Sequence, residues 1–155
     1  MNEITGIDLG APVIARHEVD IRAPLPPVWE LLVDVAAWPA WNPDITAAAL
    51  EGELAPGVSF RWETGGLSLT STVRAIAEHE TILWDGTTQG ITGIHRWRFG
   101  EAPEGVRVAT EESWSGGPVD ANPAAMQGML DQSLVAWLGR LKEVAEAKAG
   151  SAATA

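Results

Sequence analysis

The sequence predicts an α+β domain in which one long C-terminal helix packs against an antiparallel sheet. Six strand-like stretches follow one another between residues 44 and 115, separated by short turn sequences such as APG, TGG and TQG. A long apolar stripe with helical spacing then begins near residue 122. Strands and helices that are segregated along a chain are typical of α+β architecture, with a helix on one face of the sheet.

The first strand and the short helices precede this meander. In residues 13–22 apolar and polar residues alternate, which predicts a half-buried strand. The following APLPPVWELLVDVAAW has prolines suited to a helix entry and an apolar stripe of two to three turns. In WPAWNPDI, Pro39 suits the start of a second short helix and Pro43 its end. We predict that Trp38 and Trp41 plug this corner, Trp38 also being able to touch a ligand from the rim.

The predicted meander strands and the final helix follow in order. The strands cover residues 44–51, 58–64, 67–77, 81–88, 91–100 and 106–115. In DANPAAM, Asn122 can cap a helix and Pro123 fits its first position. The stripe that follows predicts a helix of about seven turns. A curved seven-stranded sheet around this helix would leave a gap of the kind that binds apolar ligands.

Length and apolar content favour one domain. A chain of 155 residues can bury one substantial core. We predict a single domain over residues 1–155, with an ordered core at 12–148, a flexible N-terminal segment and a fraying C-terminal tail. The apolar runs are too short for a membrane span, and MNEITGIDLG lacks the features of a secretory signal. No membrane insertion and a cytoplasmic location are therefore expected, for a monomer or a weak homodimer.

Charge and residue inventory exclude several functions. The net charge of −11, from 21 acidic and 10 basic residues, argues against nucleic acid as a partner. The absence of cysteine removes disulfides and thiolate metal sites, and three histidines do not suggest a metal centre. Phosphate-binding, dinucleotide-binding, GxSxG and HExxH motifs are absent as well. We therefore predict no metal and no cofactor.

Four stretches carry a family resemblance. APLPPVWELLVDVAAWPAWNPDI, GVSFRWETGG, TILWDGTTQGITGIHRWRF and GVRVATEESWSG resemble, in order and spacing, the START-like (SRPBCC) superfamily and its polyketide cyclase/dehydrase branch. The likeness covers residues 12–148. It implies a helix-grip fold with an internal hydrophobic cavity. It implies activity less firmly, because the superfamily includes lipid and hormone carriers as well as aromatase/cyclases.

Strand parity predicts which side chains enter the cavity. In residues 91–99 His95 shares the apolar phase, and in residues 106–114 Thr110 and Glu112 do. If Phe99 lies opposite Val106, then His95 lies opposite Thr110 and diagonal to Glu112, within about 7 Å. We predict His95 and Glu112 as an acid/base pair or a ligand-orienting pair. A structural hydrogen bond that only maintains the fold is the alternative.

Other residues on the apolar phase are candidates for ligand contact or for core packing. His17 is predicted to be a core histidine near the long helix, and His79 a solvated turn residue. On the helix, methionine suits a site that adapts its shape. The predicted ligand-contact residues are Phe60, Trp62, Trp84, Trp97, Phe99, Thr110, Trp114, Met126, Met129, Leu130 and Ser133.

The sequence leaves three functions open. The first is a binding protein for a hydrophobic small molecule of polyketide, lipid or isoprenoid type. The second is a cyclase/dehydrase in which the pocket folds a reactive polyketone and His95 with Glu112 moves a proton. The third is a protein-interaction module of the chaperone-activator kind, against which the acidic surface argues mildly.

Overall fold

The computed structural model describes the backbone of residues 3–154 and the side chains of residues 3–151. One antiparallel sheet has the spatial order β1-β7-β6-β5-β4-β3-β2, so that the first strand pairs with the last. The helix-grip prediction is confirmed, because this sheet curls around a long C-terminal helix. The strands are β1 (Val13–Ile21), β2 (Ile45–Ala49), β3 (Ser59–Thr64), β4 (Leu67–Ala77), β5 (Thr81–Thr88), β6 (Ile91–Ala102) and β7 (Gly105–Ser115).

The helices occupy the predicted places, with one addition. The two short helices after β1 are α1 (Leu25–Val33) and α2 (Trp38–Trp41), joined by a 3-10 turn at Val35–Ala37. A further short helix, α3 (Gly117–Ala121), precedes α4 (Pro123–Thr154). With 32 residues, α4 continues past residue 148, where the ordered core was predicted to end. Within residues 3–154, no helix is long and apolar enough to cross a membrane.

The register of the β6–β7 hairpin differs from the prediction. Phe99 lies opposite Val108, not Val106, because pairing continues to Ala102 and Gly105. The chain turns only at Pro103 and Glu104, whereas the sequence reading had spread the turn over GEAPEG. Each residue of β6 therefore meets a β7 residue two positions later than expected. As a consequence, His95 lies directly opposite Glu112 and diagonal to Thr110.

Two clusters of buried residues form the core. The larger one joins α1, α2, most of the sheet and the C-terminal half of α4. The smaller one lies at the other end, where α4 and α3 pack on β1. Its buried members are Val13, Ala15, Val119, Leu130 and Leu134.

The N-terminal segment lies on the outer face of the sheet. The backbone N–H of Asp8 donates to the Ser113 hydroxyl at 2.9 Å, and the Arg96 guanidinium donates to the Thr5 carbonyl. Arg96 and Ser113 both point away from α4, because their strand neighbours His95 and Glu112 point toward it. Residues 5–8 are therefore joined to the sheet by these hydrogen bonds.

The WPAWNPDI corner is tied to both the sheet and α4. Trp38 is fully buried, and its indole N–H donates to the Leu32 carbonyl at 2.8 Å. Its ring meets Phe60, Trp62, Trp84 and Trp137 at centroid distances of 5.0–5.7 Å. Trp41 is half-buried and contacts only Trp137 among the aromatic rings described. The corner is structural, and Trp38 is its centre.

Truncation of Trp38 should therefore cost far more stability than truncation of Trp41. Removing a fully buried large side chain typically costs about 3–5 kcal/mol, and we expect this loss for Trp38→Ala. Trp41→Ala is the matched control, for which we expect a loss smaller by at least about 1 kcal/mol, because Trp41 starts half-exposed. Urea unfolding followed by circular dichroism measures both values. Equal losses would contradict the assignment of Trp38 as the centre of the corner.

Candidate functional site

A buried histidine and a glutamate face each other at the centre of the concave face. His95 Nδ1 lies 3.3 Å from Glu112 Oε1, and His95 Nε2 lies 2.6 Å from the Thr110 hydroxyl. Glu112 Oε2 accepts a hydrogen bond from the Trp114 indole N–H at 2.8 Å. The side chain of His95 is 4% exposed, whereas that of Glu112 is 16% exposed. Glu112 is thus the member that a ligand can reach, and His95 lies behind it.

The hydrogen bonds indicate where the proton lies. The Thr110 hydroxyl donates to the Arg96 carbonyl at 3.1 Å, so its oxygen accepts a hydrogen bond from His95 Nε2. A neutral imidazole with a proton on Nε2 has its lone pair on Nδ1, which faces Glu112. The lone pair then faces Glu112 Oε1 across the 3.3 Å contact, an arrangement that favours a protonated carboxyl over a carboxylate. This assignment follows from the donor and acceptor inventory.

Burial favours the same state of the pair. It raises the pKa of Glu112 to about 7, although the hydrogen bond from Trp114 opposes this shift. Burial also lowers the pKa of His95 to about 3. Both groups are therefore held uncharged below neutral pH, with the shared proton on the carboxyl. A carboxyl that titrates near neutrality can act as an acid and, once ionised, as a base.

Aromatic rings fix the position of His95. The imidazole stacks on Trp97 at 5.2 Å and meets the rings of Trp84 and Trp137 edge-on at 5.1 and 6.2 Å. Trp97 is fully buried and Trp84 is 3% exposed. The rings of Trp84, Trp97 and Trp137 therefore pack together between the sheet and the C-terminal half of α4.

A row of small residues crosses the sheet beside Glu112. In this row Gly86 pairs with Gly93, and Gly93 pairs in turn with Trp114. Ser71 continues the row on β4. If Gly86 carried a Cβ atom, that atom would lie 3.5 Å from the Ser71 Cα. A Cβ on Gly93 would lie 3.1 Å from Glu112 Oε2. The carboxyl of Glu112 therefore lies beside Gly93. We call Ser71, Gly86 and Gly93 the small-residue row.

Aromatic residues stand at both ends of the small-residue row. Phe60 pairs with Ser71 at one end, and the half-buried Trp62 donates its indole N–H to the Ser71 hydroxyl at 3.0 Å. Trp114, also half-buried, stands at the other end. Sequence reasoning named these aromatics but missed the glycines. The available signal was the strand phase of WDGTTQGITGIH, which places Gly86 and Gly93 on the same face as Trp84 and His95.

The N-terminal half of α4 leans toward β1. Leu130 and Leu134 pack on Val13 and Ala15, while Met129 is 58% exposed and Ser133 is exposed. The helix meets the far strands later, where the Trp137 ring contacts those of Trp62 and Trp97. Gly86 and Gly93 are accordingly only half-buried.

The remaining predicted site residues are placed apart from Glu112 or within the core. Phe60, Trp84, Trp97 and Phe99 belong to the larger buried cluster, and Met126 packs against the smaller one. Thr110 is buried and contacts His95. The structure thus gathers Trp62, Trp114 and the His95–Glu112 pair around the small-residue row.

The other two histidines lie outside this group. His17 joins β1 to α4, because its Nε2 is 2.7 Å from Asp131 Oδ1. Its side chain is 30% exposed, so it lies at the rim of the core and not inside it. His79 lies in the β4–β5 turn with a φ of 66° and rests against the edge of Trp29.

The fold, a curved antiparallel sheet around one long helix, is that of a helix-grip domain. Its concave face carries the titratable pair of His95 and Glu112. The family model described as "Polyketide cyclase / dehydrase and lipid transport" matches residues 12–146. The chain belongs to this family. That description includes both enzymes and lipid transport, so membership alone does not choose between them.

Solved structures of low identity share the fold. A hypothetical protein, jhp0584, from Helicobacter pylori is 20% identical with a TM-score of 0.78, and the match covers 94% of this chain and 99% of that one. The di-domain ARO/CYC StfQ from the steffimycin biosynthetic pathway is 14% identical with a TM-score of 0.75, covering 89% of this chain and 52% of that one. A START superfamily protein from Mycobacterium smegmatis is 16% identical with a TM-score of 0.70, covering 86% and 97%.

A curated relative matches over a shorter stretch. The tRNA 5-methylaminomethyl-2-thiouridine biosynthesis bifunctional protein MnmC of Paracidovorax citrulli (strain AAC00-1) is 37% identical over 84 residues. The match covers 52% of this chain and 13% of that protein. This chain therefore corresponds to only a small part of the length of that relative.

The protonation of the pair can be tested through stability. Between pH 4.5 and 6.5, the ordinary pKa values of the two groups, the unfolded pair holds one proton on His95 and the folded pair holds one on Glu112. The intact pair therefore adds no pH dependence in this window. In Glu112→Gln the unfolded chain still binds a proton on His95 that the folded chain does not bind, so stability should rise with pH.

Relative to wild type, the free energy of unfolding of Glu112→Gln should rise by up to about 1.4 kcal/mol per pH unit across this window. Urea unfolding at several pH values measures the difference. Glu111→Gln, on the outer face of the same strand, leaves the His95–Glu112 pair intact and is the control. A flat difference for Glu112→Gln would show that the proton is not held as assigned.

Proposed function

We propose that this domain binds a hydrophobic small molecule over the small-residue row and that Glu112 moves a proton on it, as in a polyketide cyclase or dehydrase. The observation that carries the proposal is the carboxyl of Glu112. Burial raises its pKa, it lies against His95, and it is still partly exposed beside Gly93.

Shape supports binding at this place. Gly86 and Gly93 present backbone where the adjacent row presents Trp84 and His95, and Ser71 is buried beside Trp62, which binds its hydroxyl. Backbone lined by aromatic side chains suits a flat, apolar ligand, because it offers contact area with few polar groups. The indoles of Trp62 and Trp114 stand at the two ends of the small-residue row, so a planar ring system would lie between them.

The chemistry of the pair supports a dehydration or an aldol step. On a β-hydroxy ketone, Glu112 gives its proton to the hydroxyl, which leaves as water when the C–O bond breaks. The carboxylate then takes the proton from the carbon next to the carbonyl, and the C–H electron pair forms the new double bond. Glu112 is thereby protonated again, and no oxidant or cofactor is consumed. His95 acts as a positioning residue through its contact with Oε1.

The family and the fold are consistent with this chemistry. The family description names cyclases and dehydrases, and the titles of two structural neighbours, StfQ and BexL, place those proteins in biosynthetic pathways as ARO/CYC di-domains. For the present chain, a polyketide-like substrate is part of the proposal.

A non-catalytic carrier is the second candidate. One observation favours it: both nitrogens of His95 already have partners, and its side chain is 4% exposed. A pair that is complete without a ligand can serve to maintain the fold. A carrier would bind the same class of molecule over the small-residue row without converting it.

Binding and turnover can be measured separately. Native mass spectrometry of the purified protein should reveal a co-purifying apolar molecule, and acetylnaphthalene should quench tryptophan fluorescence. A β-hydroxy ketone bearing a naphthyl ring should be dehydrated to the conjugated enone, which is followed by absorbance. Glu112→Gln should keep the affinity for acetylnaphthalene within about tenfold and lower the dehydration rate by about 100-fold or more.

Glu111→Gln is again the control, and it should resemble wild type in both assays. Binding without turnover in the wild-type protein would favour the carrier. Undiminished turnover in Glu112→Gln would remove Glu112 from the mechanism. If no probe binds and no ligand co-purifies, the binding proposal fails as a whole.

A further inference from the structure

We propose that the site selects ligands by charge: it accepts molecules that present an uncharged carbonyl or hydroxyl oxygen to Glu112, and it rejects carboxylates of the same skeleton. This inference rests on the proposed function, because it specifies the ligand of that same site. It names ketones, aldehydes, quinones and alcohols as the ligand class and excludes fatty acids and aromatic acids.

The placement of the basic residues is the first argument. All ten lysines and arginines lie within residues 3–151, and none of them is among the described contacts of Glu112. Six of the arginines alternate with concave-face residues along their strands, which places them on the outer face or at a strand end. Arg140 binds Asn42 and Asp44 at the corner, and Lys142 and Lys148 lie in the C-terminal half of α4, where Lys142 pairs with Glu146. The outer-face set is Arg16, Arg61, Arg74, Arg96, Arg98 and Arg107, and Arg22 follows β1 and pairs with Glu104.

The immediate surroundings of Glu112 are the second argument. On β6 it faces His95, and on its own strand it accepts a hydrogen bond from Trp114. On β1 it pairs with Ala15, which is covered by Leu130 and Leu134 of α4. His17 of β1 and Asp131 of α4 are bound to each other at the rim. No cation among these neighbours is free to neutralise a second acid.

Because of these surroundings, neutral and anionic ligands should differ in their affinity for the site. A protonated Glu112 can donate a hydrogen bond to a neutral carbonyl or hydroxyl oxygen at no cost in charge. A carboxylate placed there would be a second buried acid in apolar surroundings, which is costly without a cation. Such a ligand would have to enter as the protonated acid, so its apparent affinity falls with its protonated fraction.

The size of the effect follows from that fraction. For an acid with a pKa near 4.5, only about 1 molecule in 300 is protonated at pH 7, and the fraction falls tenfold per pH unit. We therefore expect a neutral probe to bind about 100-fold or more tightly than the matching acid at pH 7. The difference should shrink to about threefold or less near pH 4.5, where half of the acid is protonated.

The test uses acetylnaphthalene and naphthoic acid, which share the ring system and differ in the charge of the oxygen-bearing group. Dissociation constants from tryptophan fluorescence are measured with the full chain between pH 4.5 and 7, the range below the raised pKa of Glu112. The ratio of the two constants should rise with pH, approaching tenfold per unit. In Glu112→Gln, whose amide N–H₂ can donate to a carboxylate, the ratio at pH 7 should fall below about tenfold. Glu111→Gln should keep the wild-type ratio.

Each outcome has a distinct meaning. Binding of acetylnaphthalene with strong, pH-dependent exclusion of naphthoic acid supports the inference. Equal binding of both probes overturns the inference but leaves the binding proposal intact. An unchanged ratio in Glu112→Gln assigns the selectivity to another residue and likewise overturns it. Failure of both probes to bind at any pH overturns the proposed function, and the inference falls with it.

Discussion

The contact between Trp38 and Trp137 is the interaction on which the rest of this structure depends. It joins the corner that follows α1 to the long helix, with ring centroids 5.0 Å apart. Around it the rings of Trp62, Trp84 and Trp97 fill the space that a strongly curved sheet would otherwise leave open. Tryptophan suits this task, because it supplies more buried area per residue than any other side chain and adopts few rotamers. The region between the sheet and the C-terminal half of α4 is therefore packed with side chains.

The same packing explains how a buried polar pair is tolerated. His95 is enclosed by three indoles, so an ionised imidazole there would lack solvation. The structure avoids this cost by giving both ring nitrogens partners and leaving the shared proton on Glu112. Rings that hold the imidazole from three sides also fix the direction of its lone pair. The orientation of the carboxyl is therefore set by packing and hydrogen bonds together, which is the usual requirement for a positioned acid.

Sequence patterns predicted the fold closely and the site in part. Two meander strands, 67–77 and 81–88, match the structure at both ends, because turn residues with special backbone conformations bound them. The phase of His95 and Glu112 was also predicted, since alternation is a local property. The register between their strands, β6 and β7, was predicted wrongly. Whether the chain turned at Pro103 and Glu104 or earlier depends on a long-range pairing that strand periodicity does not encode, and a shift of two residues leaves the face of every side chain unchanged.

The small-residue row was missed for a related reason. A glycine in a strand pattern can signal a bulge, a close approach or a gap, and only the neighbours across the sheet distinguish these. At Gly86 a Cβ would collide with the Thr70 carbonyl, so close approach is the requirement there. At Gly93 a Cβ would press on the carboxyl of Glu112, so the glycine makes room for the functional group. Tryptophans fill the space under the C-terminal half of α4, Gly93 leaves room on the neighbouring part of the sheet, and Glu112 lies between the two. An acid between these two regions is buried enough to be held neutral and exposed enough to meet a ligand, a combination that neither region alone could provide.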